Sequence, residues 1–210
     1  MPPLKSLARL AGVLLVGVAS FALAHTLASD ARAERVAAGR RADSLAAREG
    51  PGLVVVYIGS SRCPWCRDPK VPGLLREIHA NMIAVAESLG VGYRMVGLAV
   101  DQQPERGLGH LGQVGPMFSE VSSGGEWQGL AVSPLLWGAL AGEAGTPQVI
   151  VLRRTVRRMV PDSGPVRIEI AGEAVLRRLV GLNAIEQWVN AGQVLETVDS
   201  SQPQGVAFSQ

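Results

Sequence analysis

The chain predicts an α/β domain with a central mixed β-sheet flanked by helices. Three segments carry that expectation. LVVVYIGS (53–60) is a continuous apolar, β-branched run of strand length, the pattern of a central strand buried on both faces. Behind it, Leu75, Ile78, Met82, Val85 and Leu89 recur at helical spacing until Gly90 ends the series. YRMVGLAV (93–100) supplies a second strand, and strand, helix, strand is the unit from which parallel sheets are built.

What precedes the domain is of another kind. Lys5 and Arg9 lead into an apolar run from Leu10 to Ala24, followed by the small-residue patterns Ala22-Leu23-Ala24 and Ala31-Arg32-Ala33. This is the layout of a secretory signal peptide or of an N-terminal membrane anchor over residues 1–28, and residues 10–28 give 19 positions, barely a bilayer span. Arg32, Arg35, Arg40 and Arg41 follow the run, but Asp30 and Glu34 lie among them and Lys5 and Arg9 resist translocation. The expectation is export, to the periplasm or cell envelope, with the inner membrane as an anchoring site. Residues 29–51, rich in Ala, Arg and acids and closed by Gly50, Pro51 and Gly52, read as a solvated linker, and the domain is assigned to residues 52–195. From Glu196 the sequence is a polar tail rich in Ser, Gln, Pro and Gly.

Beyond the second strand the pattern weakens. Residues 104–145 are Gly-rich; MFSEV around Phe118 reads as a helical turn, and Ser133-Pro134 as the cap and first turn of a short helix through Leu140. PQVIVLRR gives a further strand, and VRRMV (156–160) and VRIEI (166–170) flank PDSGP, a hairpin signal. AVLRRLVG follows, and Asn183 is expected to cap a last helix, AIEQWVNA, which Gly192 closes and in which Trp188 faces the core.

The chain has two cysteines, Cys63 and Cys66, in GSSRCPWCRDPK (59–70). Between a buried strand and a helix start, Cys63 would meet unpaired N–H groups that stabilise a thiolate, with Arg62, Arg67 and Lys70 adding positive field. Such a thiolate attacks a disulfide, and the second thiol resolves the mixed disulfide; Pro64 stiffens the loop between them. Two other uses stand beside this one. A structural bridge over a two-residue loop constrains the unfolded chain little. A zinc or copper site needs more ligands, and the three histidines are His25 in the apolar run, His79 on the helix, and His110 in GLGHLGQVG, read as a Gly-rich loop.

Four segments in order resemble the thioredoxin superfamily over roughly residues 52–192: VVVYIGSSRCPWC, LAVDQQP, GTPQVIVL, and GEAVLRRLVGLNAIEQWV. The resemblance implies a thioredoxin-like fold with Cys63 as nucleophile, Cys66 as resolving thiol, and Pro147 as a cis-proline facing the dithiol. It also implies that Thr146 offers backbone groups to an extended substrate strand; Trp65, by its own position, is expected to lie exposed in the redox loop, where it can contact a substrate. Tyr57 stands where thioredoxins place a buried acid, and Arg62 where they place a Trp. About 42 residues separate Pro104 from Pro147, an insertion carrying Trp127 and Trp137 that is expected to form a lid or partner surface.

The resemblance implies a thiol-disulfide oxidoreductase acting on exported proteins with disulfides or thiols, without a bound cofactor or metal, and served by a redox donor or acceptor. The alternatives are an assembly module of an envelope complex that uses the dithiol little, and a copper or zinc chaperone using Cys63, Cys66 and His110. Arg153, Arg154, Arg157 and Arg158 read as a solvated face or a charge-protected edge, with acidic proteins or anionic headgroups as the sharper possibility. A net charge of +2 and 4% aromatic residues give no ground for a nucleic-acid partner.

Overall fold

The computed structural model describes residues 50–138, 140, 142–159 and 167–195. The apolar run at 10–28, most of the linker, the PDSGP turn and the polar tail lie outside the described residues, as do the side chains of Arg158, Arg167 and Ile168. No helix among the described residues is long and apolar enough to cross a membrane.

Five strands form one mixed sheet. β1 (Gly50–Gly59) starts slightly earlier than expected, so the end of the segment read as linker is strand. β2 (Gly92–Ala99), β3 (Glu120–Ser123), β4 (Gln148–Met159) and β5 (Arg167–Val180) complete the order β3-β2-β1-β4-β5. β1 pairs in parallel with β2 and antiparallel with β4, β3 is parallel to β2, and β5 is antiparallel to β4. The VVVYI run is therefore central, with both backbone edges paired and both faces covered, which is why it does not alternate with polar residues.

Register sorts this apolar run into two cores. Val56 lies between Val96 and Ile150, and these residues face one layer. Val55 lies between Met95 and Val151, and Tyr57 beside Val149; these face the other. The second of these layers receives α1 (Val71–Leu89), α2 (Pro104–Val114) and α4 (Leu182–Asn190) through Leu75, Ile78, Met82, Leu111, Ile185 and Trp188. The opposite layer is covered by the chain between Trp127 and Leu140, through Val132, Leu135 and Leu136 around the single turn α3 (Ser133–Leu136). The insertion is thus not a detached lid: it supplies α2, the edge strand β3 and the second cover of the sheet.

Several local expectations change. GLGHLGQVG is helical rather than a loop, because Pro104 and Glu105 start α2 and Gly107, His110, Leu111 and Val114 share its buried face. At Gly107 a Cβ would collide with the Ser123 side chain and lie 2.7 Å from Ala99 Cβ, so a glycine lets α2 pack closely on β2 and β3. The expected helical turn at Phe118 is replaced by the neighbouring strand β3, whose exposed Glu120 and Val121 give no alternating signal. Asn183 lies inside α4, with Gly181 at the cap position in a φ of 88°, and no side-chain cap bond is made at Val132 before α3.

The β4–β5 hairpin continues beyond β1, whose pairing ends at Val156. Residues 156–159 and 167–170 belong to these long strands rather than to a separate ribbon. Arg154 pairs with Glu173, Arg157 stands opposite Glu169, and Arg153 and Arg157 are exposed. Acids of β5 thus stand opposite Arg154 and Arg157, so this part of the hairpin is not uniformly cationic.

Candidate active site

β1 delivers the chain to the cysteine loop, and Asp101 at the end of β2 receives it. The Ser61 N–H and hydroxyl and the Ser60 hydroxyl all donate to the buried Asp101 carboxylate, the shortest contact being 2.6 Å from Ser61 Oγ. The Arg62 N–H in turn donates to Ser60 Oγ at 3.2 Å. Neither serine nor Asp101 was singled out as a functional residue by the sequence, although the acid within LAVDQQP marked the position.

Cys63 and Cys66 are unbridged and approach to 3.0 Å. The helix expected to begin at the dithiol is divided: Trp65–Arg67 form one 3-10 turn behind Pro64, and α1 begins only at Val71. The N–H groups that reach the Cys63 sulfur belong to this turn, with Cys66 N–H donating at 3.3 Å. Trp65 is 64% exposed beside them.

From the other side comes the segment before β4. The Thr146–Pro147 peptide is cis, and the Thr146 carbonyl accepts the Cys63 thiol at 3.4 Å. Gln148 and Arg178 hold this segment. Gln148 Nε2 donates to the carbonyls of Glu143 and Gly145 at 2.9 and 3.3 Å, while Arg178 donates to Gln148 Oε1 at 2.7 Å and to the carbonyls of Leu135 and Leu140.

The two thiols are made unequal by these surroundings. Burial opposes ionisation of Cys63, but hydrogen bonds from the Thr146 side chain, from Cys66 and from the Trp65 backbone outweigh it and hold its pKa below the usual thiol value. Burial pushes Cys66 up to about 12, and its hydrogen bond to Cys63 adds to the rise. A reactive outer sulfur beside a protonated inner one can open a disulfide and then close on the product.

The nearby cations have other partners. Arg62 meets Glu126 at 3.5 Å and Lys70 meets Glu186 at 2.9 Å, both on the surface. The contacts that lower the Cys63 pKa are short-range hydrogen bonds.

Below the loop, Tyr57 is buried beneath Gly59, where a Cβ would collide with its hydroxyl. That hydroxyl is 3.1 Å from His110 Nε2, and Phe118 stacks on the ring at 6.1 Å. His79 is remote from this cluster in role, with Nδ1 3.0 Å from the Tyr93 hydroxyl. Among the described residues, no group of three or more His, Cys, Asp or Glu side chains is arranged to hold a metal ion. Trp127 packs on the layer that holds Val56 and accepts the Trp137 indole N–H through its carbonyl at 3.2 Å, while Trp137 itself is exposed. No protein-family model and no curated protein matches this chain.

Proposed function

We propose that this protein is a thiol-disulfide oxidoreductase of thioredoxin-like fold, acting through Cys63 and Cys66 on exported proteins. The observation that carries the proposal is the inequality of the two sulfurs: Cys63 is partly exposed, against Thr146, and ionises more readily than an ordinary thiol, whereas Cys66 is buried and holds its proton. The parallel β1–α1–β2 unit joined to an antiparallel hairpin, with the cysteines at the end of β1 and a cis-proline before β4, supports the fold assignment. Export rests on the signal-like or anchor-like residues 1–28, and the redox donor or acceptor is a second dithiol or disulfide protein of the same compartment.

In the proposed reaction the Cys63 thiolate attacks a substrate disulfide, forming a mixed disulfide and releasing one substrate thiolate. Cys66 then attacks Cys63, releases the second, and leaves the pair oxidised. The direction in the cell follows from the partner, because the same steps run in reverse.

Trapping tests this. The full chain carrying Cys66→Ala is expressed in its exporting host, and thiols are quenched with acid before separation. Substrate proteins captured through Cys63 and released by reductant are expected, and Cys63→Ala should abolish them. Loss of trapping with full function retained by Cys63→Ala would favour the assembly-module alternative, and stoichiometric copper or zinc in the reduced protein the metal-chaperone one.

A further inference from the structure

The resolving step needs Cys66 to lose a proton, and that thiol is buried with a pKa near 12. Unaided, roughly one molecule in 10⁵ would hold the thiolate at pH 7. No carboxylate occupies position 57, where the resemblance would place an acid; a tyrosine does.

Tyr57 is not isolated there. Burial raises the Tyr57 pKa most, and the neighbouring Cys66 sulfur, whose charge acts on the hydroxyl, raises it further. The same hydroxyl lies 3.1 Å from His110 Nε2. A hydroxyl is at once donor and acceptor, so it can receive one proton while giving up another. His110 projects from the buried face of α2 and is itself only 4% exposed. Burial holds its imidazole below the usual histidine pKa while the Asp101 carboxylate opposes that shift, so the ring is neutral at pH 7 and a cationic ring has a counter-charge near it. Tyr57 from β1 and Asp101 at the end of β2 are the ionisable groups that face His110; Phe118 covers the Tyr57 ring.

We propose that Tyr57 and His110 form the proton path of the resolving cysteine: the Cys66 proton passes to the Tyr57 oxygen as the Tyr57 proton passes to His110 Nε2. This rests on the exchange reaction proposed above. As the proton leaves, Cys66 Sγ forms a bond to Cys63 Sγ, the bond from Cys63 Sγ to the substrate sulfur breaks, and its electron pair departs as a substrate thiolate. The dithiol loses two electrons and the substrate disulfide gains them. Between the half-reactions His110 returns to its neutral form, and when a donor dithiol later attacks Cys63, Cys66 leaves and is reprotonated through His110 and Tyr57 by the reverse path. Tyr57 and His110 here act on the reacting sulfur through protons alone.

Stopped-flow mixing of the reduced full chain with one equivalent of a chromogenic aromatic disulfide separates the steps. Attack by Cys63 releases the first coloured thiol, and closure by Cys66 releases the second, which Cys66→Ala abolishes. In Tyr57→Phe and His110→Gln the rate of the second phase relative to the first should fall at least tenfold. Its pH dependence should change as well. In the wild-type chain the second phase is level from about pH 7 to 8, where His110 is already neutral; in both variants it should rise close to tenfold per pH unit over the same range, following hydroxide. A merely structural defect would not convert a level profile into a steep one. An unchanged second phase and a level profile in both variants overturn the proton path alone. Absence of the first phase in the wild-type chain overturns the exchange reaction and the path together. His110→Asn, too short to reach Tyr57, should behave as His110→Gln does, and wild-type kinetics in it would likewise overturn the path.

Discussion

Asp101 fixes the Ser61 end of the cysteine loop: its carboxylate takes the Ser61 hydroxyl at 2.6 Å and the Ser61 N–H at 3.2 and 3.0 Å on its two oxygens. The acid sits at the end of the strand neighbouring β1, so the loop that carries Cys63 is tied to two adjacent strands rather than to one.

Removing this tie should cost both stability and order. Hydrogen bonds to a charged acceptor are worth about 1.5–3 kcal/mol each and are not additive within one cluster, so Asp101→Ala should lose about 3 kcal/mol in urea unfolding. Alkylation of Cys63 in this variant should become slower at neutral pH, because the loop no longer holds the thiolate against its donors. Unaltered stability would show that the serines find water as good a partner.

Thr146 offers a cleaner change at the sulfur. Its side chain lowers the Cys63 pKa whereas its carbonyl receives the thiol, so Thr146→Val removes one stabiliser of the thiolate and leaves the backbone in place. Alkylation of Cys63 near pH 7 should slow by about two- to fivefold, consistent with one charge-assisted hydrogen bond offset by the higher nucleophilicity of a more basic sulfur. The rate profile should move to higher pH.

Arg178 links the two sides of the site at a distance. It donates to Gln148 and to the carbonyls of Leu135 and Leu140, and Gln148 holds the chain just before Thr146. Arg178→Leu leaves these acceptors without their donor and should destabilise the domain by roughly 2–3 kcal/mol. Hydrogen exchange should rise first in residues 130–146, ahead of β1 and β2, if this residue anchors the second cover of the sheet.

The chain has two tyrosines, Tyr57 and Tyr93, and burial drives the pKa of both well above the usual value. Unfolded tyrosines ionise near pH 10. The contribution to stability is therefore complete below about pH 10 and is lost as pH rises above it, because the unfolded chain releases protons that the folded one retains. Tyrosinate absorbance should remain absent through about pH 10.5 and then appear together with loss of native circular dichroism. A separate tyrosinate step in a still-folded protein would contradict the burial of one of the rings.

Strong, repetitive signals were legible from residue order. The apolar run at 53–60, the helical spacing from Leu75 to Leu89 and the strand at 93–100 each encode burial directly, since a segment covered on one or two sides must be apolar on those sides. The cysteine pair stood out from its spacing as a candidate dithiol, and Thr146-Pro147 drew notice only through the resemblance to the thioredoxin superfamily.

The rest depended on partners that residue order does not name. Gly107 and Gly109 masked α2, because glycine favours a loop in isolation and only the close packing of Gly107 on Ser123 and Ala99 shows what it is for. β3 carries Glu120 and an exposed Val121, and an edge strand of this kind is defined by its hydrogen bonds to β2 rather than by an apolar face. By itself the sequence determined the central strands, the cysteine pair and the tyrosine at position 57. Only the tertiary structure decided what that tyrosine meets, because Tyr57 and His110 are 53 residues apart and become neighbours only when α2 packs its buried face against β2 and β3.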